Sequence, residues 1–245
     1  MSGGDPSARS AGGKISAALL RVMALRAQFE ADGALRDRWH AVKRFQAQRL
    51  RATYPDLLAS SRFRPACEFF LDELYGAHDF EARDSEALRA VSKLEAFLPA
   101  RALHTIADAV ELDELSERLD GRLAAAMSPQ VPTDAAAFAA AYADAYRTSA
   151  TPQERTRQLD CVMTIGHSLD ALARIKLLPR LLGLMRRPAE AAGLGHLHHF
   201  LASGFEAFRD MKGAADFLAI VHDREAALMM RLFSGAGFEG AHPEA

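Results

Sequence analysis

The chain has 245 residues, of which 49% are apolar and 25% charged, and its net charge is −2. This balance is typical of a soluble globular protein and gives no bulk attraction to polyanions, so we predict no nucleic-acid partner. The most apolar stretch, residues 177–185, is interrupted by Arg180 and is much shorter than the roughly 20 residues that span a bilayer. The sequence therefore predicts no transmembrane segment.

The N-terminal residues are rich in Gly and Ser and lack the charged-then-apolar order of a secretory signal. We therefore expect a disordered tail at 1–13 and a cytoplasmic protein. Cys67 and Cys161 lie far apart in sequence, and each sits within an apolar helical pattern. This placement predicts two reduced, buried thiols.

Apolar residues recur three and four positions apart along almost the whole chain, and the alternation typical of strands is missing. The pattern predicts an all-α, bundle-like single domain of about ten helices over residues 14–236, with a flexible tail at 237–245. The proline-containing segment 127–134 is a possible boundary between two helical subdomains. The predicted helices cover residues 14–31, 34–54, 65–76, 85–97, 100–110, 113–127, 134–148, 152–178, 180–187, 189–210 and 214–234.

Local signals predict several helix starts. In the stretch TPQE, Thr151 is a cap, Pro152 takes the first helical position, and Glu154 can complete a capping box. A cap residue or a proline in the first turn also predicts a helix start elsewhere in the chain. The other predicted starts use the caps Asp84 and Thr133 and the prolines Pro65, Pro99 and Pro188.

The direction of the apolar face changes at two places. The face that runs from Leu103 to Val110 lies roughly 150° from the face that starts at Leu112, at about 100° per residue. Because a straight helix cannot bury both faces equally, we predict a break near Leu112 with Asp113 as the new cap. A similar change across Pro179 predicts a bend there.

Charge is distributed unevenly along the sequence. Residues 1–51 carry ten Lys or Arg and four Asp or Glu, whereas residues 68–120 carry fourteen acids and five bases. Segments of opposite sign pack against each other, lie solvated on separate faces or, less often, mark a partner surface. We favour a structural role for this asymmetry over a partner surface.

Two basic segments have amphipathic character. The helix at 36–51 holds six Lys or Arg and one acid, but the core spacing of Trp39 and Val42 indicates a solvated basic face rather than a phosphate-binding one. In the segment 172–187, leucines past Pro179 share one side and arginines the other. That pattern suits a membrane surface or a partner's groove, although we favour burial of the leucines in the protein's own core.

Motifs for catalysis and metal binding are scarce. No Glu inside the predicted helices is followed three residues later by His, which argues against a ferritin-like centre. His196 and His199, like His222 and Glu225, are three positions apart, but neither pair has further ligands in sequence, so we predict no metal and no cofactor. The sequence also has no G-x-S-x-G motif, no P-loop and no base placed beside Cys67.

Acidic residues occupy apolar faces in three predicted helices. Glu225 interrupts a stripe of Leu and Val, Asp170 lies near apolar residues with His167 beside it, and Glu73 shares an aromatic face while Asp72 points to solvent. A buried, unpaired carboxylate is costly, so each must be paired, protonated or open to a cavity. We favour pairing with Arg or His. The functional alternative is one ligand-binding pocket lined by Glu73, His167, Asp170 and Glu225.

The stretch FFLDELYG at 69–76, with YPDLLASSRFRPA before it, resembles a bacterial family named for its FFLEELY motif. LSERLD at 115–120 and FEAFRDMKGAADFLAIVHDREAALMMRLF at 205–233 are similar to the same family, so the resemblance covers most of the chain. Asp72 stands where the family name has Glu. The resemblance implies a bacterial origin and brings with it no reaction, cofactor or partner.

Two classes of function fit these observations. A non-enzymatic binding or protein-interaction module, acting on a protein partner or as a homo-oligomer, predicts an exposed apolar patch near 177–187 or between subunits. An enzyme or a cofactor- or ligand-binding protein predicts a closed polar cavity around Glu73 and Glu225. Because the sequence has no recognised catalytic motif, we favour the first class.

Overall fold

The computed structural model describes residues 10–73 and 80–238, with the side chains of all of these except 73, 80 and 81. Within these ranges the chain forms eleven α-helices and no strand, which confirms the predicted all-α fold. The helices are α1 (Ala11–Ala31), α2 (Gly33–Thr53), α3 (Pro55–Ala59), α4 (Arg64–Glu73), α5 (Phe80–Phe97), α6 (Ala100–Ala126), α7 (Ala135–Ser149), α8 (Pro152–Ala173), α9 (Leu178–Ala191), α10 (Gly195–Asp210) and α11 (Ala215–Ser234).

One apolar cluster joins the first and last helices of the chain. Its buried members come from α1, α2, α6, α7 and α11 and include Phe29, Trp39, Leu123, Phe138 and Leu232. Met127 and Val131, from the segment 127–134, pack in the same cluster. That segment therefore connects two helices of one core, and the described helices form a single domain.

Helix α6 runs without interruption through Leu112, so the predicted break there is wrong. Leu103, in its first half, packs in a cluster with Ile15 of α1, whereas Leu123, in its second half, packs with Trp39 of α2. Helix α1 packs along both halves of α6, with α5 beside the first half and α2 beside the second, so one continuous helix buries two apolar faces. The change in direction of the apolar face marks the place where the set of helices packed against α6 changes.

Helix α9 continues through Pro188, and α10 begins only at Gly195, so the predicted helix boundary at Pro188 is wrong. A proline inside a helix leaves the carbonyl four positions earlier without its usual N–H donor. That carbonyl belongs to Leu184, which is 76% exposed, so solvent can reach this side of the helix. The chain does turn just before Pro179, where the bend was predicted.

Two predicted caps have other positions in the structure. Asp84 lies inside α5, is 2% exposed and accepts hydrogen bonds from Arg26 and Arg83, so the prediction of a cap is wrong. The cap of α7 is Asp134 rather than Thr133. The same short polar side chain serves as a helix cap or as a buried ion partner, and only the tertiary structure decides which.

Helix α4 presents its aromatic rings to the core and Asp72 to solvent, as predicted. The ring centroids of Phe70 and Phe208 are 6.0 Å apart. Asp72 is exposed and forms an ion pair of 2.6 Å with Arg51. An exposed pair of this kind adds little stability, so Asp72 needs no functional explanation.

The two cysteines differ in exposure. Both are free thiols. Cys67 is 5% exposed, and burial raises the pKa of its thiol to about 12, so it is a poor nucleophile at neutral pH. Cys161 is partly exposed. The prediction of a buried thiol is therefore correct for Cys67 and wrong for Cys161.

The start of α8 has the predicted capping box. The backbone N–H of Glu154 donates to the Thr151 hydroxyl at 3.2 Å, and the backbone N–H of Thr151 donates to the Glu154 carboxylate at 2.9 Å. We expect Thr151→Ala to lower the free energy of unfolding by about 1 kcal/mol, because one N–H at the helix start loses its partner. Urea unfolding followed by circular dichroism measures this loss.

The matched control for the capping box is Thr164→Ala in the same helix. The Thr164 hydroxyl is exposed and donates to the carbonyl of Asp160 within the helix, so no cap is lost. Alanine also has the higher helix propensity, and the control variant should be as stable as the wild type or slightly more stable. Equal losses in the two variants would contradict a capping role for Thr151.

Candidate functional site

Arg26 of α1 lies among three carboxylates from two other helices. Its guanidinium donates to Asp84 of α5 and to Asp113 and Glu117 of α6, at 2.8 Å from Asp113 and 2.9 Å from Glu117. The Arg26 side chain is 14% exposed, and those of Asp84 and Glu117 are each 3% exposed. A planar guanidinium with five N–H donors can bind several carboxylates at once, which a lysine cannot do in the same geometry.

Glu117 extends these contacts to α2. Its carboxylate accepts a hydrogen bond from the Trp39 indole at 3.2 Å and one from Lys43 at 3.0 Å. Lys43 also lies 3.6 Å from Asp120, which accepts a hydrogen bond from Gln46 at 2.8 Å. We call this group the ion-pair network, and its members are Arg26, Trp39, Lys43, Gln46, Asp84, Asp113, Glu117 and Asp120.

Burial and pairing act in opposite directions on the pKa values of the network. Burial by itself lowers the pKa of Arg26 and of Lys43, but the surrounding acids outweigh it and raise both pKa values. Burial, helped by a neighbouring acid, outweighs the nearby cations at Asp84 and Asp120 and raises both pKa values. For Glu117, Lys43 and Arg26 outweigh burial, and the pKa is lowered. Each acid of the network lies beside at least one of its cations, which favours a structural role over a catalytic one.

The ion-pair network was not predicted from the sequence. We had assigned the bases of the segment 36–51 to a solvated face, but the Lys43 side chain is only 29% exposed. A signal was present, because Asp113, Glu117 and Asp120 are spaced four and three residues apart and so share one face of a helix. The basic N-terminal segment and the acidic middle segment do pack against each other at this face.

Glu225 is paired with two groups from the α2–α3 region. Its carboxylate accepts hydrogen bonds from Arg49 at 2.5 Å and from the Tyr54 hydroxyl at 2.7 Å. The neighbouring cavity, which Tyr142 and Tyr146 also line, has a volume of about 30 Å³. Such a cavity has room for a water molecule or two and not for a substrate. Glu225 is thus paired with an arginine, which is the interpretation that we favoured from the sequence.

Asp170 of α8 contacts the start of α11, whereas Glu225 lies in the middle of α11. Asp170 accepts a hydrogen bond of 3.0 Å from the backbone N–H of Ala214, just before the helix begins. Glu225 is eleven positions farther along the chain, or roughly 16 Å at 1.5 Å per residue. His167 is exposed, and the side chain of Glu73 lies outside the described residues. The structure thus does not bring Asp170 and Glu225 into one pocket.

Glu86 joins α5 to the start of α10. One carboxylate oxygen accepts the backbone N–H of Leu197 at 2.9 Å, and the other lies 2.7 Å from Nδ1 of His196. Burial raises the pKa of Glu86, but the Leu197 N–H and the His196 ring lower it by more, so the pKa lies below its ordinary value of 4.5. This negative charge also complements the positive end of the α10 dipole.

We expect Glu86→Gln to lower the free energy of unfolding by about 1–2 kcal/mol at pH 7. Because the pKa of Glu86 is lower in the folded than in the unfolded protein, its contribution is complete above the unfolded pKa and is lost as the pH falls through the folded pKa. The difference between wild type and variant should therefore shrink below about pH 4. Urea unfolding at neutral and at acidic pH measures this change.

The control for this pH dependence is Glu68→Gln on the exposed face of α4, which should leave the stability unchanged at both pH values. If Glu86→Gln were equally destabilising at neutral and at acidic pH, the charge of the carboxylate would not be the stabilising factor. The loss would then come from packing around Glu86.

A groove of about 490 Å³ lies between α9 and α10. Ligand-binding sites commonly have volumes of roughly 300–1,000 Å³. Two polar pairs stabilise its walls, Arg186 with Glu190 at 3.1 Å and Nε2 of His198 with the carbonyl oxygen of Leu182 at 2.8 Å. The residues that line it include Leu182, Gly183, Ala202, Ser203, Phe205 and Glu206.

In residues 10–73 and 80–238, no three His, Cys, Asp or Glu side chains are grouped so that they could hold a metal ion. Across the same part of the chain, no helix combines the length and the apolar character needed to cross a membrane.

Comparison with known proteins gives one match. A family model described as a domain of unknown function, DUF8198, matches residues 25–237. No curated protein and no solved structure gives a significant match. The matched region begins just before Arg26 and extends past α11, so it contains the ion-pair network, Glu225 and the groove between α9 and α10. The chain therefore belongs to the DUF8198 family of domains of unknown function.

Proposed function

We propose that the protein is a non-enzymatic interaction module that holds a helical segment of a partner protein in the groove between α9 and α10. The observation that carries this proposal is the groove itself, which has an apolar floor of Leu182, Ala202 and Phe205 between polar walls. Amphipathic helices bind in grooves of this kind. With 14 and 16 residues, α9 and α10 are roughly 20 Å long, enough to contact about four turns of a bound helix.

The alternative, an enzyme or a ligand carrier with its site at the buried acids, has weaker support. It depends on a polar cavity beside Glu225, and the cavity there has a volume of only about 30 Å³. Glu225 is already occupied by Arg49 and Tyr54. An acid held by two donors in a small cavity has little capacity to bind or activate a substrate.

Photo-crosslinking tests the proposal. Glu206 is exposed and lines the groove, so the photoreactive residue p-benzoylphenylalanine at this position would contact a bound segment. We expect illumination in an extract of the source organism to give one discrete protein adduct. The same photoreactive residue at Asp144, an exposed position on α7 outside the groove, should give no such adduct.

Filling the groove provides the matched control. Gly183 lines the groove, and a Cβ at this position meets no atom within 4 Å. The fold should therefore accommodate Gly183→Trp, and we expect its indole to occupy the groove and abolish the adduct, whereas Gly183→Ala should preserve it. Adducts that are the same at Glu206 and Asp144, or that survive Gly183→Trp, would rule out the groove as the binding site.

Three finer assignments belong to the same proposal. The cytoplasm is the proposed location, because both cysteines are free thiols, which is typical of a reducing compartment. The folded unit is proposed to be residues 14–236 with tails at 1–13 and 237–245, although α1 already begins at Ala11. The FFLDELYG stretch supports the proposal that the chain belongs to a bacterial family named for its FFLEELY motif.

A further inference from the structure

The outer edge of α9 carries a stripe of alternating leucines and arginines. Leu177, Arg180, Leu184 and Arg187 follow one another at intervals of three, four and three residues, which places them on one face of the helix. All four are exposed, Leu177 by 68% and Leu184 by 76%. We had favoured burial of the leucines past Pro179 in the core, but at Leu184 that prediction is wrong, because α9 turns Leu178 and Ala189 inward instead.

The stripe is distinct from the groove. On a helical wheel, Gly183 and Arg186, which line the groove, lie roughly 100° and 160° from Leu184. The leucines thus project from one flank of α9, and the groove lies along the other. A ligand bound to one of these surfaces does not occupy the other.

A third large apolar side chain is exposed at the same end of the molecule. Phe97, the last residue of α5, is 59% exposed. It directly precedes Leu98, which belongs to the same apolar cluster as Leu178 and Leu181 at the start of α9. Phe97 therefore lies near the first turns of the stripe, and we call Phe97, Leu177 and Leu184 the apolar edge.

The sequence around Leu177 and Leu184 is basic. Residues 171–189 contain five Lys or Arg and no Asp or Glu, although the whole chain has a net charge of −2. Arg174 and Arg186 are paired with Asp170 and Glu190. Of the cations along the edge, Lys176, Arg180 and Arg187 form no ion pair with another described residue.

We propose that the apolar edge docks on an anionic membrane surface, with Lys176, Arg180 and Arg187 at the lipid phosphates. Exposed leucines between unpaired arginines match the boundary between acyl chains and charged head groups. A protein partner would have to supply a hollow for each projecting side chain, whereas a fluid bilayer needs no shape match. The protein would lie on the surface, held by its charges and by three apolar side chains.

Vesicle flotation tests this proposal with the full chain. The probes are vesicles of phosphatidylcholine alone and vesicles with 30 mol% phosphatidylglycerol. Each basic residue near an anionic surface strengthens binding about fivefold, so Arg180→Gln with Arg187→Gln should weaken binding to the anionic vesicles about 25-fold. Binding should also weaken in high salt, because counterions screen the attraction.

Matched variants separate the edge from general surface effects. Arg44→Gln with Arg157→Gln removes the same charge from two other exposed positions and should change binding little. Leu177→Ser with Leu184→Ser should weaken binding about tenfold, since less apolar area inserts. Its control is Leu20→Ser with Met230→Ser, two residues that are 54% and 63% exposed elsewhere. Circular dichroism confirms that each variant is folded.

The outcomes are distinct. Equal binding to neutral and anionic vesicles, or equal losses in the edge variants and their controls, would overturn the proposal. So would a discrete protein adduct from a photoreactive residue at Leu184 without any vesicle binding, which would identify the edge as a protein-binding surface.

Discussion

Replacing Arg26 by methionine is expected to lower the free energy of unfolding by about 3–5 kcal/mol, because it leaves three carboxylates without their shared cation. Asp84 and Glu117 are each 3% exposed, so water cannot readily replace the lost partner. The loss should be largest near neutral pH and should decrease as the pH falls, because burial already raises the pKa of Asp84 and the loss of Arg26 raises it further, so this acid takes up a proton more readily. Urea unfolding over a range of pH values measures both effects.

Two variants test this interpretation of the ion-pair network. Arg36→Met removes an exposed arginine whose ion partner is its neighbour Asp37, and it should cost less than about 0.5 kcal/mol. Adding Glu117→Gln to Arg26→Met removes a buried carboxylate that has lost one of its two cations, so the double variant should lose less than the sum of the single losses. If Arg26→Met were as stable as Arg36→Met, the network would contribute nothing to folding.

Adding one methyl group at Gly121 should destabilise the protein by about 1–3 kcal/mol. Gly121 lies on α6 where the Phe29 ring of α1 packs directly on the helix backbone, and a Cβ there would overlap the ring. Phe29 cannot easily move away, because its ring centroid lies 5.5 Å from that of Trp39 within the buried cluster. Urea unfolding of Gly121→Ala measures the cost.

The same substitution at Gly183 is the control, since a Cβ there meets no atom within 4 Å. Gly183→Ala should be as stable as the wild type or up to about 1 kcal/mol more stable, because alanine favours the helix. Combining Gly121→Ala with Phe29→Leu should recover part of the loss, since a smaller side chain leaves room for the methyl group. A Gly121→Ala variant that matches the wild type would show that α1 can shift at no cost.

Features that depend on neighbouring residues were predicted well from the sequence. The start of α8 is an example, because Thr151, Pro152 and Glu154 lie within four residues and satisfy one another's backbone groups. The orientation of α4 is another, since Asp72 and Phe70 take opposite faces through helical geometry alone. The all-α class also follows from spacing that repeats along almost the whole chain.

The polar interactions of the site required the tertiary structure. Arg26 and Asp113 are 87 positions apart, and Arg49 and Glu225 are 176 positions apart, so no local pattern pairs them. Glu225 was predicted from its place on an apolar face, but Glu117 was not. Glu117 is buried because α1 and α2 cover its side of α6. Carboxylates on a helix look alike in sequence whether solvent or a second helix covers them.

The sequence by itself determined that the chain folds as helices, where most of these helices begin, and that opposite charges are concentrated in different segments. Only the tertiary structure decided that α6 passes unbroken through Leu112, that Arg26 joins acids from two helices, and that Leu184 points to solvent. The physical reason is the range of the forces involved. Backbone hydrogen bonds and caps act over about four residues, whereas burial and ion pairing depend on which helices become neighbours.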